Sequence, residues 1–309
     1  MAKKKPVIYI VGPTASGKTS FSVELAEKFE GEIISGDSMQ IYKGMHIASA
    51  APDEIEKKGI PHHLFEFLEP SEKFSVSQYV KLADKVIGDI HSRGKIPFVV
   101  GGTGLYMSAL SEHLDFGDDS PTDYIRKNLE KRAEEQGLDV LYRTLNEIDP
   151  EAAEKISPND KKRILRAIEV YEISGKTKTQ RDNDSKISGP VYDNLFIGLN
   201  YLNRETLYDR INRRVDIMLK NGLLDEARSA LDKISGTAAQ AIGHKELAPF
   251  LKGDMSLEDV TEHLKMQTRR YAKRQLTWFR KNEGINWIFM DEEKNPLDTA
   301  VNIISEFLK

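Results

Sequence analysis

The sequence predicts an α/β fold in which helices flank a parallel β-sheet. Short runs of β-branched residues alternate with helical patterns over the first hundred residues, which favours a parallel sheet. From about residue 121 to residue 175 the pattern is helical, highly charged and free of strands. A strand-like run then returns, so we expect residues 1–114 and 196–309 to form the α/β core with C-terminal helices. Residues 115–195 would be a helical insertion domain.

Composition limits the classes of protein. The chain has 309 residues, of which 39% are apolar and 30% are charged, as in soluble globular proteins. It contains no Cys, which excludes disulfides and thiolate metal sites and is consistent with the cytoplasm. No stretch approaches the roughly 20 apolar residues of a membrane span. We therefore expect a cytoplasmic protein without membrane contact. A monomer is also expected, although composition does not determine the oligomeric state.

The first elements surround a glycine-rich loop. Val7 to Val11 is a β-branched run, and residues 18–29 carry apolar side chains at helical spacing. A second short strand is predicted at Glu32 to Ser35 and a third at Ile96 to Val100. Ligands of parallel sheets bind at the carboxyl ends of the strands, so the loops that follow these three strands should lie together.

The C-terminal half alternates again after the insertion. The polar, Gly-rich segment 175–190 predicts a loop, and "NLFIGLNY" predicts a returning strand. Residues 207–219 have the pattern of an amphipathic helix. Ser256 begins a capping-box-like pattern before a long basic helix, and "INWIFM" predicts a last strand before a closing helix.

The glycine-rich loop has the spacing G-x-x-x-x-G-K-[ST] of a phosphate-binding loop. Its amides open a helix, Lys18 adds positive charge, and the Thr19 hydroxyl is a Mg²⁺ ligand in such loops. The spacing is typical of ATP-binding proteins and predicts a P-loop NTPase-like sheet. However, no carboxylate ends the "FVV" strand to hold Mg²⁺, which weakens an NTPase interpretation. The predicted phosphate-binding residues are Gly12, Pro13, Thr14, Ala15, Ser16, Gly17, Lys18 and Thr19.

Two further loops carry polar candidates. Asp37 follows the second strand and is either a general base facing the phosphates or the acceptor of an Asx-turn, and spacing does not decide between them. Thr103, in "GGTGLY", either belongs to a plain strand-to-helix turn or offers its hydroxyl to a substrate.

Other polar pairs favour structural interpretations. His62 and His63 suggest a metal, but no third ligand follows at zinc spacing, so a packed loop is favoured. Arg210 and Arg214 lie one helical turn apart and are either solvated charges or a clamp for a diphosphate. Without other observations, the solvated interpretation is preferred.

Basic residues concentrate in two places, although the net charge is −4. Residues 261–284 contain seven basic and two acidic residues, with aromatic residues interleaved. Taken alone, this pattern slightly favours the interpretation of a helix face that is exposed to solvent. The insertion adds the cluster Lys161, Lys162, Arg163 and Arg166. Two separate clusters shift the balance toward a large polyanionic partner such as nucleic acid.

Nine stretches together resemble one family, the tRNA dimethylallyltransferases or isopentenyl-tRNA transferases, in its bacterial form. They are "GPTASGKT", "DSMQIYKGM", "PHHL", "FSVSQY", "GGTGLY", "NDKKRILRAIEVYEISGK", "LYDRINRRVDIMLKNGLLDEA", "QAIGHKEL" and "TRRYAKRQLTWFRK". They occur in the order found in the family and span residue 12 to about residue 281. One departure is His244, where the family more often has Tyr.

The resemblance implies transfer of a dimethylallyl group from its diphosphate to the exocyclic amine of adenosine 37, in the anticodon stem-loop of tRNA. It implies Mg²⁺ as cofactor, and the allylic diphosphate, not ATP, in the glycine-rich loop. Asp37, Thr103 and Arg210 resemble the catalytic residues. The residues that resemble the family's tRNA contacts are Asp37, Ser38, Met39, Gln40, Thr103, Arg126, Lys162, Arg163, Ile164, Leu165, Arg166, Ala241, Ile242, Gly243, His244, Lys245, Glu246, Lys273, Arg274, Gln275, Leu276, Thr277, Trp278, Phe279 and Arg280.

Two alternatives stay open from the residues alone. A small-molecule kinase would use the same phosphate loop, with Asp37 as the base toward a hydroxyl. A non-catalytic RNA-binding protein would use only the basic helices. An assay separates the three interpretations. A prenyltransferase transfers prenyl to tRNA, a kinase transfers the γ-phosphate of ATP, and an RNA-binding protein only binds.

Overall fold

A computed structural model describes residues 4–114, 123–185, 189–230, 234 and 236–309. Within these ranges six strands form one sheet in the order β3-β2-β4-β1-β5-β6, with every pair parallel. The strands are β1 (Pro6–Val11), β2 (Gly31–Ser35), β3 (His62–His63), β4 (Ile96–Gly101), β5 (Asp193–Asn200) and β6 (Ile285–Phe289). The α/β fold class predicted from the sequence is thereby confirmed.

The helices of the described ranges are numbered in chain order. The first five lie between β1 and the insertion and are α1 (Lys18–Lys28), α2 (His46–Ser49), α3 (Glu54–Lys57), α4 (Val76–Ser92) and α5 (Gly104–Ser111). The next five are α6 (Asp123–Gln136), α7 (Leu138–Ile148), α8 (Pro150–Lys155), α9 (Lys161–Ser174) and α10 (Lys178–Asp184). After β5 come α11 (Arg204–Lys220), α12 (Leu223–Ala230), a short 3-10 helix (Ala238–Gln240), α13 (His244–Leu251), α14 (Leu257–Phe279) and α15 (Pro296–Phe307).

The sheet is buried on both faces, as its continuous apolar strands require. On one face, Ile8, Phe98 and Ile197 pack with Leu25 of α1 and Ile304 of α15. Alternate residues point to the opposite face. There the rings of Tyr9 and Phe196 stack at a centroid distance of 4.4 Å.

The loops after β1, β2 and β4 lie at one edge, because these strands are neighbours that end side by side. The N–H of Gly36 donates to the carbonyl of Val100 at 2.8 Å, and the N–H of Thr103 donates to the carbonyl of Gly36 at 3.3 Å. A Cβ on Gly101 would lie 2.3 Å from the backbone carbon of Gly36. Glycine at 101 therefore allows the two loops to approach this closely.

The chain divides into two compact units, Met1–Ser111 with Val191–Lys309, and Glu112–Pro190. The predicted boundaries lay at 114/115 and 195/196. The core resumes before residue 196 because β5 already begins at Asp193. The second unit has its own apolar core of residues from α6, α7, α8 and α9, which includes Leu129, Leu145, Ile164 and Leu165.

Two local predictions are wrong. The segment 175–190 is not all loop, because Thr177 and Gln180 form a capping box that begins α10. Residues 115–122 of the predicted insertion and 186–188 of the predicted loop lie outside the described residues. His62 and His63 form the edge strand β3, not a packed loop, because they pair with Ile33 and Ile34 of β2.

None of the helices within the described ranges is both long and apolar enough to cross a bilayer.

Candidate active site

The glycine-rich loop joins β1 to α1 as the sequence predicts. Gly17 takes a left-handed conformation, φ 95°, immediately before α1, and no side chain caps this end of the helix. The Lys18 ammonium folds back and donates to the carbonyls of Gly12 at 3.0 Å and Pro13 at 2.8 Å. The N–H groups at the start of α1 are thus available to an anion.

The position of Asp37 is compatible with both of its interpretations. One carboxylate oxygen, Oδ1, accepts from the N–H of Met39 at 2.9 Å, as in an Asx-turn. The residue also lines the cavity that the phosphate loop lines. Burial raises the pKa of Asp37, while the Met39 N–H and the charges of Lys18 and Arg214 oppose the rise. A carboxylate with a raised pKa is a better proton acceptor than an ordinary one.

Thr103 connects the loop after β4 to the loop that carries Asp37. Its hydroxyl oxygen accepts from the N–H of Ser38 at 3.0 Å and donates to the Ser38 hydroxyl at 3.2 Å. Tyr271 of α14, which lines the cavity, also hydrogen-bonds Thr103. Thr103 is thus fixed on two sides next to Asp37. In the sequence Tyr271 is one of the aromatic residues interleaved with the basic ones, and that pattern does not predict its contact with Thr103.

Gln275 joins two loops of the site. Its carbonyl oxygen accepts from the N–H of Thr14 at 2.8 Å, and its amide donates to the carbonyl of Gly102 at 3.0 Å. A Cβ on Gly102 would lie 2.0 Å from the amide nitrogen, so glycine is required there. Gln275 is 5% exposed. The contact of Gln275 with tRNA stays a prediction, and its amide is buried and bound internally.

Two arginines of α11 reach the phosphate loop and the Asp37 loop. The Arg210 guanidinium donates to the carbonyl of Ala15 at 3.0 Å and lies over the ring of Tyr201 at 5.2 Å. Arg214, one turn later, lines the cavity and is close enough to Lys18 and Asp37 to affect their pKa values. Arg214 is partly buried, so its preferred interpretation as a solvated charge is wrong, whereas Arg210 is exposed and also contacts the phosphate loop. Burial and the nearby Arg214 lower the pKa of Lys18 to about 7.

These groups share a cavity of about 910 Å³ in the core unit. Its polar part is formed by Lys18, Asp37, Arg210 and Arg214. Its apolar part includes Ile47, Ala48, Val215, Met218, Ile242 and Leu264. A basic end beside an apolar wall suits an anionic group attached to a hydrocarbon.

Gln40 lines the cavity but its amide is engaged internally. The carbonyl oxygen accepts from the Ser35 hydroxyl at 3.0 Å, and the amide donates to the carbonyls of Ser49 at 3.4 Å and Ala50 at 3.3 Å. This arrangement opposes two-point pairing of the Gln40 amide with an adenine edge. Ser38 and Met39 also line the cavity, as predicted contacts should.

The predicted tRNA contacts from α9 onwards differ in how exposed their side chains are. Those exposed are Lys162, Arg163, Lys245, Lys273, Arg274, Thr277, Trp278 and Arg280. Those with buried side chains are Ile164, Leu165, Ala241, His244, Glu246 and Phe279. The tRNA contacts of this second group stay predictions, and their side chains are buried in apolar surroundings or in polar contacts such as that of His244 with Glu226. Ile242, Arg166 and Leu276 are partly buried, and Gly243 is buried without a side chain to offer.

Arg126 and Arg166 of the insertion unit share one carboxylate. Glu169 of α9 is 1% exposed and lies 2.9 Å from the Arg166 guanidinium and 3.8 Å from that of Arg126. Arg126 also pairs with Glu130 at 3.2 Å. Both predicted RNA contacts are therefore held in place before any ligand binds.

No metal centre is formed by carboxylates, histidines or cysteines among the residues that the structure describes. His63 instead binds Glu32 at 2.7 Å, and Arg93 shares the same carboxylate. Burial opposes the shift, but these hydrogen bonds lower the pKa of Glu32 to about 2. The Thr19 hydroxyl lines the cavity, so a Mg²⁺ ion there would need oxygens of the ligand as its main partners.

The sheet and the glycine-rich loop at its edge define an α/β protein with a P-loop-like fold. A family model described as IPP transferase matches residues 40–282, and one described as isopentenyl transferase matches residues 5–64. The chain is 48% identical over 302 residues to a tRNA dimethylallyltransferase of Caldanaerobacter subterraneus subsp. tengcongensis, with 96% of each chain covered. The chain belongs to the tRNA dimethylallyltransferase family, which confirms the resemblance in its motifs.

Solved structures agree with this assignment. The full-length tRNA isopentenylpyrophosphate transferase of Bacillus halodurans is 42% identical to this chain, with a TM-score of 0.73. The match covers 99% of this chain and 97% of the Bacillus halodurans chain. A eukaryotic dimethylallyltransferase acting on tRNA is 34% identical, covers 98% of this chain and 79% of its own, and has a TM-score of 0.81.

Proposed function

We propose that the chain transfers a dimethylallyl group from dimethylallyl diphosphate to the exocyclic amine of adenosine 37 in the anticodon stem-loop of tRNAs. The products are isopentenyladenosine in tRNA, diphosphate and a proton. One observation carries this proposal: the Asp37 carboxylate lines the same cavity as the phosphate loop and an apolar wall. A cytoplasmic monomer remains a prediction from the sequence.

Asp37 acts as the general base. An adenine amine is a poor nucleophile, because its lone pair is delocalised into the ring. As the amine attacks the allylic carbon, the Asp37 carboxylate accepts its proton while the bond from that carbon to the diphosphate oxygen breaks. The raised pKa of Asp37, which results from burial, suits this transfer. The Asx-turn to Met39 fixes the direction of the carboxylate.

The basic end of the cavity stabilises the leaving group. Negative charge grows on the diphosphate as the carbon–oxygen bond breaks, so fixed donors near it lower the barrier. The amides at the start of α1, the Lys18 ammonium and the Arg210 and Arg214 guanidinium groups supply such donors. Mg²⁺ held by the Thr19 hydroxyl and the diphosphate would add charge neutralisation there.

The target base must leave its stack to reach Asp37. The cavity supports this requirement, because Asp37, Ser38 and Met39 all line its interior. Outside the cavity, the exposed basic residues of α14 and α9 suit RNA phosphates.

A transfer assay tests the proposal directly. The protein is incubated with dimethylallyl diphosphate, Mg²⁺ and unmodified tRNA in buffer without ATP, and the nucleosides are analysed by mass. We expect one prenylated adenosine per tRNA, and none in a tRNA with guanosine at position 37. A strict need for ATP, with ATP consumed in step with the product, would overturn the assignment of the loop to the allylic diphosphate.

Diphosphate binding should take up a proton above neutral pH. Burial lowers the pKa of Lys18 to about 7, so at pH 8 the Lys18 side chain of the ligand-free protein is mostly neutral. A bound diphosphate favours the charged form and raises this pKa. Calorimetry with inorganic diphosphate, without added metal, in buffers of different ionisation enthalpy measures the uptake. Because inorganic diphosphate itself exchanges protons near this pH, the parent should take up more protons than Lys18→Met, and equal exchange by the two would contradict the prediction.

The exposed basic residues of α14, and Arg280 directly after it, should contribute to the salt dependence of tRNA binding. Replacing Lys273 and Arg280 with Ala should weaken binding and reduce the slope of log affinity against log salt by up to about 0.9 per lost phosphate contact. The matched control replaces Lys28 and Lys85, exposed lysines on α1 and α4, with Ala. If both double variants keep the slope of the parent, the α14 face is only solvated.

A further inference from the structure

A carboxylate remote from the phosphate loop stabilises one wall of the cavity. Glu226 of α12 accepts two backbone hydrogen bonds at the start of α2, from Ile47 at 2.7 Å and Ala48 at 2.9 Å. The N–H groups in the first turn of a helix have no partner within the helix, so such an acceptor stabilises the helix. Because α2 has only four residues, it depends on these outside contacts.

His244 fixes this carboxylate from the other side. Its Nε2 lies 2.9 Å from the Oε1 of Glu226, and the side chains of His244 and Glu226 are 7% and 11% exposed. The other ring nitrogen of His244 is buried and has no hydrogen-bond partner among the described residues. The ring therefore has one strong polar contact, and that contact is with Glu226.

The other end of α2 holds the Gln40 amide. The carbonyls of Ser49 and Ala50 accept from its amide nitrogen, at 3.4 and 3.3 Å. The Ser35 hydroxyl donates to the amide oxygen at 3.0 Å and itself accepts from the N–H of Asp37 at 3.3 Å. The backbone N–H of Gln40 also contributes a hydrogen bond to the Asp37 carboxylate. Gln40 thus connects α2 to the base.

We propose that Glu226 is a positioning residue for the Asp37 base, acting through α2 and Gln40. The inference rests on the proposed function, because it needs Asp37 to be the group that accepts the proton. Removing the carboxylate leaves the first N–H groups of α2 unpaired, α2 shifts, and the Ser49 and Ala50 carbonyls no longer hold Gln40. The Asp37 carboxylate then loses its fixed direction and part of its hydrogen bonding.

The test compares E226Q with D225N. In E226Q one oxygen becomes an NH₂ donor, which faces a backbone N–H or His244 and cannot replace the lost acceptor. Asp225, the preceding residue on α12, binds Arg228 at the exposed surface, so D225N makes the same charge change without touching α2. We expect E226Q to lower kcat by about 10- to 100-fold, as a misplaced catalytic group does. D225N should keep the kcat and the KM of the parent. E226Q should raise KM for dimethylallyl diphosphate by a smaller factor than it lowers kcat, because Ile47 and Ala48 form only part of the apolar wall.

The pH profile separates positioning from general damage. Five helices each contribute one charged or titratable side chain that faces Asp37. These side chains are Lys18, Tyr79, Tyr106, Arg214 and Tyr271. None of these is removed in E226Q, whereas the hydrogen bond from the Gln40 N–H, which lowers the pKa of Asp37, is weakened. The acid limb of the kcat profile should therefore move to higher pH in E226Q and stay in place in D225N.

Coupling gives an independent check. Q40A should reproduce the fall in kcat, and the double variant E226Q/Q40A should be little worse than either single variant, because both act on one connection. Additive losses would overturn the inference, as would an E226Q enzyme with the kcat and acid limb of the parent. If E226Q does not fold, H244A keeps the carboxylate and must still lower kcat, and an unchanged kcat in H244A overturns the inference. Absence of transfer by the parent protein would instead reject the proposed function.

Discussion

Replacing Asp37 with Asn should lower kcat for prenyl transfer by about 10²- to 10⁴-fold, the usual contribution of a general base. Asn keeps the local structure, because its carbonyl oxygen can accept from the Met39 N–H as Oδ1 of Asp37 does at 2.9 Å. It removes only the capacity to take a proton from the adenine amine. Transfer is measured in single turnover with saturating dimethylallyl diphosphate and tRNA.

The control for Asp37→Asn is Asp53→Asn. Asp53 also lines the cavity, and its carboxylate caps α3 by accepting from the Glu56 N–H at 2.8 Å. Because Asn caps helices about as well as Asp, this change should leave turnover and stability close to those of the parent. Binding of inorganic diphosphate should persist in both variants. Turnover by Asp37→Asn at the rate of the control would remove Asp37 from the role of base.

Replacing Lys18 with Met should lower kcat by about 10²- to 10³-fold, the range seen when one donor to a developing anion is removed. The side-chain nitrogen is already in place, because the carbonyls of Gly12 and Pro13 accept from it at 3.0 and 2.8 Å, and a bound diphosphate favours its charged form. Met retains most of the aliphatic length without the charge. The loss should be larger in kcat than in diphosphate affinity, since charge on the leaving group peaks in the transition state.

The control for Lys18→Met is Lys28→Met, at the opposite end of α1 and exposed. It makes the same chemical change on the same helix, far along its axis from the loop. Equal turnover by the two variants would mean that the loop amides and the arginines alone stabilise the leaving diphosphate.

Local sequence predicted the elements that position the site. The run before Gly12 and the apolar spacing after Lys18 are short-range signals, and β1, the loop and α1 appear where these signals lie. Neighbouring parallel strands then bring Asp37 and Thr103 to the same edge, as the general rule for such sheets predicts. The fold class and the family could therefore be predicted from the sequence.

Side-chain partners distant in the chain could not be predicted in this way. Gln275 binds Thr14 across 261 residues, and Glu226 binds Ile47 across 179. A motif that names a contiguous stretch also does not separate its faces. Within "KKRILR", Lys162 is exposed whereas Ile164 and Leu165 are in the core of the insertion unit. The roles assigned to individual site residues remain predictions for the experiments above.

The order of strands in the sheet has a consequence for synthesis on the ribosome. β1 lies between β4 and β5, and its pairing with β5 begins with Pro6 opposite Asp193. At about 5 to 20 residues per second, roughly 10 to 40 s pass between the emergence of these two segments. During that interval one edge of the apolar segment "PVIYIV" has no strand beside it, and such edges promote aggregation. The insertion unit is complete before β5 is synthesised, so it can fold first. The sheet of the core unit is completed only after β5 and β6 have left the ribosome.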